Sequence, residues 1–252
     1  MSAAVEELVR EGLDRLAAVT EVPPGLAEAP LRRARHERVS SKWLAAPPTV
    51  TLIVGLWGVT ARPYWGDEID TVSAVSRSLP QLARLLGHVD AVHGLYYLLL
   101  WPVARVVGTG ELALRLPSVA AMAAAAFGVT VIGRTLRSAR AGVCAGLVFA
   151  ALPIVTQQAH DARPYAMVTA AAVLASYLLL RAVADPRPAR WACYGLSLAL
   201  VGYLELLALL VVAAHAVTLA ALSWQQSSPR RAGPGRAGQA AYPGGGWRAG
   251  GW

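Results

Sequence analysis

Long apolar runs separated by short basic connections dominate this chain of 252 residues. The runs cover residues 43–61, 116–133, 142–156, 165–184 and 191–223. A helix rises about 1.5 Å per residue and the hydrocarbon core is about 30 Å thick, so about 20 apolar residues suffice for a crossing. Together with 56% hydrophobic residues and a mean hydropathy of +0.45, this pattern predicts an all-α polytopic transmembrane helix bundle.

The positive charges predict the topology. The formal net charge is +8, and its arginines cluster before residue 43, between 134 and 140, and between 181 and 190. Cytoplasmic loops carry such an excess, so we expect six crossings, both ends in the cytoplasm, and a large external loop over 63–115. The apolar stretch 92–107 would then lie along the outer surface, because a crossing there would move both later clusters to the other side. Topology explains the basicity, so no nucleic-acid partner is expected.

The chain divides into three predicted regions. Residues 1–42 form a cytoplasmic amphipathic head with a basic linker, 43–223 form the membrane domain, and the Gly- and Pro-rich stretch 224–252 is disordered. The run 191–223 reads either as two helices joined by a hinge at 203–205 or as a single tilted helix. Both readings remain open from the sequence.

An acidic cluster follows the first apolar run directly. Asp67, Glu68 and Asp70 lie within four residues, and charges at the edge of hydrocarbon are costly and usually functional. Asp67 is the best candidate for a general base that takes a proton from an acceptor hydroxyl. Glu68 either orients the site or faces water, and the whole cluster could also be a solvated helix end.

The motifs together resemble the N-terminal half of GT-C membrane glycosyltransferases, in the branch of the protein O-mannosyltransferases. They occur in the family's order and are Trp65-Gly66-Asp67-Glu68 with Thr71, Asp90 to Tyr97, Gly108 with Glu111, Arg115 to Ser118, and Ala162 to Tyr165. Two features depart from the family. Its members are usually much longer, which suggests a truncated product, and many have a histidine where Glu205 stands here.

The resemblance implies transfer of a hexose, mannose by analogy, from a polyprenyl-phosphate donor to an extracytoplasmic protein, lipid or glycan by inverting displacement. Arg163 and Arg115, with Tyr165 nearby, are expected to bind the donor phosphate, because the planar guanidinium donates paired hydrogen bonds. Each has a simpler alternative: Arg115 could reach lipid headgroups, and Arg163 could pair with Asp161.

Asp90 and His93 are spaced i, i+3 and share a face if helical, so they could orient the acceptor or hold a divalent metal. Two ligands are too few for a defined metal site, and a structural hydrogen bond is an equal alternative. No other cofactor is expected. Trp65, Tyr96, Tyr97 and Trp101 resemble an interfacial aromatic belt, and stacking of one of them on a sugar is the alternative.

Two other functions stay open. A truncated, inactive scaffold or pseudoenzyme would explain the short length. A transporter is less favoured, because the apolar runs carry almost no charge at their centres. Membrane lipids are partners in every case.

Overall fold

The computed structural model describes residues 41–89 and 91–227, and these contain helices and connections without a strand. The chain divides into two compact units, Met1–His215 and Ala216–Trp252. The helices are α1 (Ser41–Leu56), α2 (Gly66–Val75), α3 (Leu79–Leu86), α4 (Gly94–Val106), α5 (Glu111–Leu136), α6 (Ala139–Ala151), α7 (Pro153–Ala159), α8 (Tyr165–Ala184), α9 (Pro188–Leu204) and α10 (Leu210–Ser227). Short 3₁₀ turns cover Ala91–His93 and Leu206–Leu209. The predicted head lies outside the described residues apart from 41 and 42, and the predicted tail lies outside them apart from 224–227, which extend α10.

Three helical segments are long and apolar enough to cross a membrane: Glu111–Leu136, Tyr165–Ala184 and Leu206–Trp224. A fourth would be α6 with α7, two helices bent by 65° at a short break. The apolar part of α1, Trp43–Leu56, is shorter, and α9 has only 17 residues. By length and composition, the described residues thus supply three or four crossings where the sequence predicted six.

The loop between α1 and α5 contains three short helices. At 13 residues, α4 would extend about 20 Å, which is too short to cross the hydrocarbon. This agrees with the prediction that the stretch 92–107 does not cross. At the start of α2, the side chain of Glu68 accepts a hydrogen bond from the backbone N–H of Trp65, the N-cap residue, at 3.4 Å.

The long apolar run 191–223 is broken at Glu205. The backbone there is extended, with φ −162° and ψ 113°, and it separates α9 from the following 3₁₀ turn. The prediction of two helices is therefore confirmed, and the single tilted helix is wrong.

In the first unit, α5 packs against α1, α6 and α8. The approach of α5 to α6 depends on glycine, because a Cβ at Gly142 would overlap the carbonyl oxygen of Thr130. On α4, in the loop between α1 and α5, the side chains of Tyr96 and Tyr97 are fully buried. They belong to the core and not to the predicted aromatic belt.

A buried histidine links three helices. His215, 7% exposed, lies 2.9 Å from the hydroxyl of Tyr194 through Nδ1 and 3.1 Å from the hydroxyl of Ser176 through Nε2. The Ser176 hydroxyl donates to the carbonyl of Ala172, so Nε2–H donates to Ser176, and in the neutral ring Nδ1 then accepts from the hydroxyl of Tyr194. The neutral histidine is thereby satisfied at both ring nitrogens.

Candidate active site

The C-terminal end of α1 and the N-terminal ends of α5 and α8 meet the loop helices around one carboxylate, that of Glu68. Its side chain is completely buried, and it accepts hydrogen bonds from Arg115 Nε at 2.9 Å and Nη2 at 2.6 Å. The backbone N–H of Ala162 donates a further bond of 2.7 Å to the same carboxylate. Glu68 thus joins α2 to α5 and to the segment before α8.

The guanidinium of Arg115 is fully engaged. Besides its two bonds to Glu68, it donates through Nη1 and Nη2 to three backbone carbonyls, those of Val59 (2.7 Å), Arg62 (2.9 Å) and Pro63 (3.4 Å). Those five bonds use all five donors that arginine possesses. The ring of Tyr64 lies 5.3 Å from its guanidinium carbon, an added cation–π contact. Arg115 has no donor left for a phosphate.

The segment before α8 is fixed at several points. Asp161 accepts a hydrogen bond from the indole N–H of Trp65 at 3.1 Å, and its backbone carbonyl accepts one from Ser118 at 2.7 Å. His160 Nε2 lies 3.0 Å from the carbonyl oxygen of Gly55 on α1. Burial raises the pKa of Asp161, and the hydrogen bond from Trp65 opposes the rise. This segment and the start of α2 therefore form one rigid unit.

Asp67 differs from its neighbour Glu68 in exposure. Its carboxylate is 47% exposed and lies 3.7 Å from Nη2 of Arg163, whose side chain is only 9% exposed. Arg163 Nη1 also donates to the backbone carbonyl of Asp67 at 3.4 Å. Burial alone would lower the pKa of Arg163, but a side-chain hydrogen bond with Tyr165 and nearby Tyr97 and Asp67 raise it. The pairing of Arg163 with Asp161, the simpler alternative, does not occur, since Arg163 pairs with Asp67.

Three polar atoms near this site are buried without a hydrogen-bond partner among the described residues. They are the hydroxyls of Thr71 and Tyr96 and the Nε of Arg163. Burial raises the pKa of Tyr96 well above its usual range, so its hydroxyl keeps its proton. Because unpaired buried polar groups are costly, such atoms are often satisfied by a ligand or by water.

His93 immediately precedes α4, and its Nε2 lies 3.9 Å from Glu205 Oε2. Asp90, the other predicted ligand, lies outside the described residues. Within 41–89 and 91–227, no group of three or more His, Cys, Asp or Glu side chains could hold a metal ion. The role of Asp90 and His93 in orienting the acceptor or holding a metal therefore stays a prediction.

The sequence interpretation missed Arg62. It lies in the turn after α1, is exposed, and lines a cavity of about 890 Å³ beside Trp65 and Asp161. The signal was available, since the positive-inside rule makes an arginine after the first apolar run unusual if that end is external.

A family model described as dolichyl-phosphate-mannose-protein mannosyltransferase matches residues 94–232, more than half of the chain. The chain belongs to this family. It is accordingly an integral membrane protein and a glycosyltransferase of the mannosyltransferase kind. No curated protein and no solved structure matches the chain.

The matched region includes Arg115, Arg163 and Tyr165 and begins after the acidic cluster. Asp67 and Glu68 are connected to it by contact, because Glu68 pairs with Arg115 and Asp67 with Arg163. The resemblance predicted from the sequence is thus confirmed at the level of the family.

Proposed function

We propose that this protein transfers a hexose, mannose in the first instance, from a polyprenyl phosphate to a hydroxyl of an extracytoplasmic protein, lipid or glycan. The observation that carries the proposal is the placement of Asp67. Its half-exposed carboxylate stands at the first turn of a helix whose next residue, Glu68, is locked into the bundle by Arg115. A base held in this way can meet an incoming hydroxyl without changing its own position.

In the proposed step, Asp67 takes the proton of the acceptor hydroxyl while the oxygen of that hydroxyl attacks the anomeric carbon of the donor. The bond from that carbon to the phosphate oxygen breaks, and the lipid phosphate leaves with the electron pair. One direct displacement inverts the anomeric configuration. A carboxylate beside the anomeric carbon also stabilises positive charge that develops on the sugar ring.

In this proposal, Arg163 pairs with the carboxylate of Asp67 and orients it. Its guanidinium lies 3.7 Å from the carboxylate and is itself almost buried, so it can hold the carboxylate in one position. The phosphate contact that the sequence suggested for Arg163 and Tyr165 stays a prediction. For Arg115, the full set of bonds to Glu68 and the backbone supports a positioning role instead.

The distribution of charge supports an extracytoplasmic active site in a multi-pass protein. Arginines concentrate where α5 meets α6 and where α8 meets α9, at the ends of α5 and α8 opposite to Arg115 and Tyr165. Since arginine-rich connections favour the cytoplasm, the site would face the other compartment.

The test uses membranes that contain the full chain and labelled polyprenyl-phosphate mannose. Asp67→Asn should lower the rate of transfer by about 10²–10⁴-fold, the usual contribution of a general base. Asp70→Asn is the matched control, because Asp70 is exposed on the same helix, and it should retain transfer. The anomeric configuration of the product, read by NMR, should be inverted.

Equal transfer by wild type and Asp67→Asn would remove Asp67 as the base. If the wild type transferred none of the polyprenyl-phosphate hexoses supplied, the proposal would fail in favour of an inactive scaffold.

A further inference from the structure

A cavity lies between the turn after α1 and the segment before α8. Its volume of about 890 Å³ falls in the range of small-molecule sites, roughly 300–1,000 Å³. Asp67 is not part of its wall, which contains Trp57, Arg62, Trp65, Gln157 and Asp161. The cavity is therefore a space adjacent to the proposed base and separate from it.

The cavity has fixed walls. Trp65 and Asp161 are hydrogen-bonded to each other, and His160 on the same side contacts the carbonyl of Gly55. Rigid polar walls lower the cost of binding, because few side chains must be ordered when the ligand arrives.

Two arginines line the cavity, and only one has donors available. Arg115 spends all five N–H groups on Glu68 and on backbone carbonyls. The side chain of Arg62 is exposed, and its guanidinium makes no hydrogen bond or ion pair with the other residues that the structure describes. Because Arg115 is neutralised by Glu68, Arg62 supplies the positive charge that a ligand in the cavity would meet.

Two side chains in the cavity wall, those of Trp65 and Asp161, are chemically suited to contact a sugar. Trp65 is half exposed, and indole faces pack well against the apolar face of a sugar. The carboxylate of Asp161 can accept hydrogen bonds from sugar hydroxyls. Gly66, between Trp65 and Asp67, is exposed, and an added Cβ there would meet no atom within 4 Å, so the surface next to the base is open.

We propose that this cavity binds the lipid phosphate of the donor, with Arg62 as its cation and with Trp65 and Asp161 receiving the sugar. The inference rests on the proposed function, which supplies the donor. It assigns a phosphate contact to Arg62 in place of Arg115, whose donors are all engaged. The ligand class is a phosphate ester carried on a polyprenyl chain.

The experiment measures binding and does not require turnover. The purified full chain in nanodiscs of phosphatidylcholine is titrated with a fluorescent short-chain polyprenyl phosphate that carries no sugar. Arg62→Gln should weaken binding by about ten-fold or more, the effect of losing a charge-assisted hydrogen-bond pair. Arg62→Lys, which keeps the charge but not the planar fork, should recover part of the loss.

Arg84→Gln is the matched control. It removes the same charge from α3, in the same loop but outside the cavity wall, and should bind as wild type does. Ala61→Trp fills the cavity from an exposed wall position and should weaken binding without any loss of charge. Thermal melts of all variants should coincide, since neither Arg62 nor Ala61 is buried.

Unchanged binding in Arg62→Gln would overturn the assignment, as would an equal loss in Arg84→Gln. Displacement of the probe by an equal concentration of phosphatidylglycerol would assign the cavity to bulk anionic lipid and would also overturn it. Failure of transfer by the wild type, with binding still dependent on Arg62, would refute the proposed function and leave the phosphate site standing.

Discussion

Removing the carboxylate of Glu68 should destabilise the whole site. In Glu68→Met the side chain keeps most of its volume, but the guanidinium of Arg115 loses two hydrogen bonds of 2.9 and 2.6 Å. That guanidinium is almost completely buried, so its charge cannot recover a water shell. The backbone N–H of Ala162 loses its acceptor as well.

The expected cost follows from these contacts. Removing one partner of a buried ion pair costs about 3–5 kcal/mol, because a buried charge remains uncompensated. For chains of this size, about 1 kcal/mol corresponds to about 2–4 °C in melting temperature, so a decrease of about 6–20 °C is expected. Arg115→Met should cost a similar amount, since it leaves the Glu68 carboxylate buried without its cation.

The double variant Glu68→Met/Arg115→Met tests whether the single variants lose stability because a buried charge is left unpaired or because packing has changed. Two apolar side chains of similar volume can replace a buried pair at little cost, so the double variant should melt at a higher temperature than either single variant. The assay is a fluorescence-detected thermal melt of the purified protein in detergent. Melting of Glu68→Met within error of wild type, or a double variant as unstable as the two single losses combined, would refute the reasoning.

Two further predictions concern the helices of the bundle. Gly142→Ala should destabilise the protein by about 1–3 kcal/mol, because the new Cβ overlaps the carbonyl of Thr130; Gly195→Ala, where nothing lies within 4 Å, is the control and should melt as wild type does or higher. Tyr194→Phe removes the donor to His215 Nδ1 and should cost about 0.6 kcal/mol, the average for a hydrogen bond between membrane helices. Both predictions are measured as melting temperatures. A melting temperature of Gly142→Ala equal to that of wild type, or one of Tyr194→Phe lowered by more than about 10 °C, would contradict the respective contact.

The apolar runs predicted the helical bundle, because length and hydropathy are properties of single segments. The positive-inside rule also excluded a crossing at 92–107, and α4 proved too short for one. The number of crossings was predicted less accurately, since the sequence predicted six and the described residues contain three or four segments long and apolar enough to cross. Whether helices such as α1 and α9 are long enough depends on where they end, and they end just before Gly58, which has a positive φ, and at Glu205, whose backbone is extended.

The residues of the candidate site could be predicted from the sequence, but the hydrogen-bond and ion-pair partners of those residues could not. The order of motifs singled out Asp67, Glu68, Arg115 and Arg163. It could not reveal that Arg115 spends every donor inside the protein, because that depends on three carbonyls exposed by the turn after α1. Arg62 was missed because it matches no family motif, and its exposure in a cavity is visible only once α7 and α1 are packed.

The neighbouring acids Asp67 and Glu68 perform different tasks because of helix geometry. Successive residues on a helix point about 100° apart, so when Glu68 turns inward to Arg115, Asp67 must face the side of the helix that stays open. Burial gives Glu68 four hydrogen bonds and leaves it no free lone pair in the direction of a substrate. Exposure leaves Asp67 with a single distant cation at 3.7 Å. A proton acceptor needs both a fixed position and an open carboxylate, and the adjacent pair supplies the first through Glu68 and the second through Asp67.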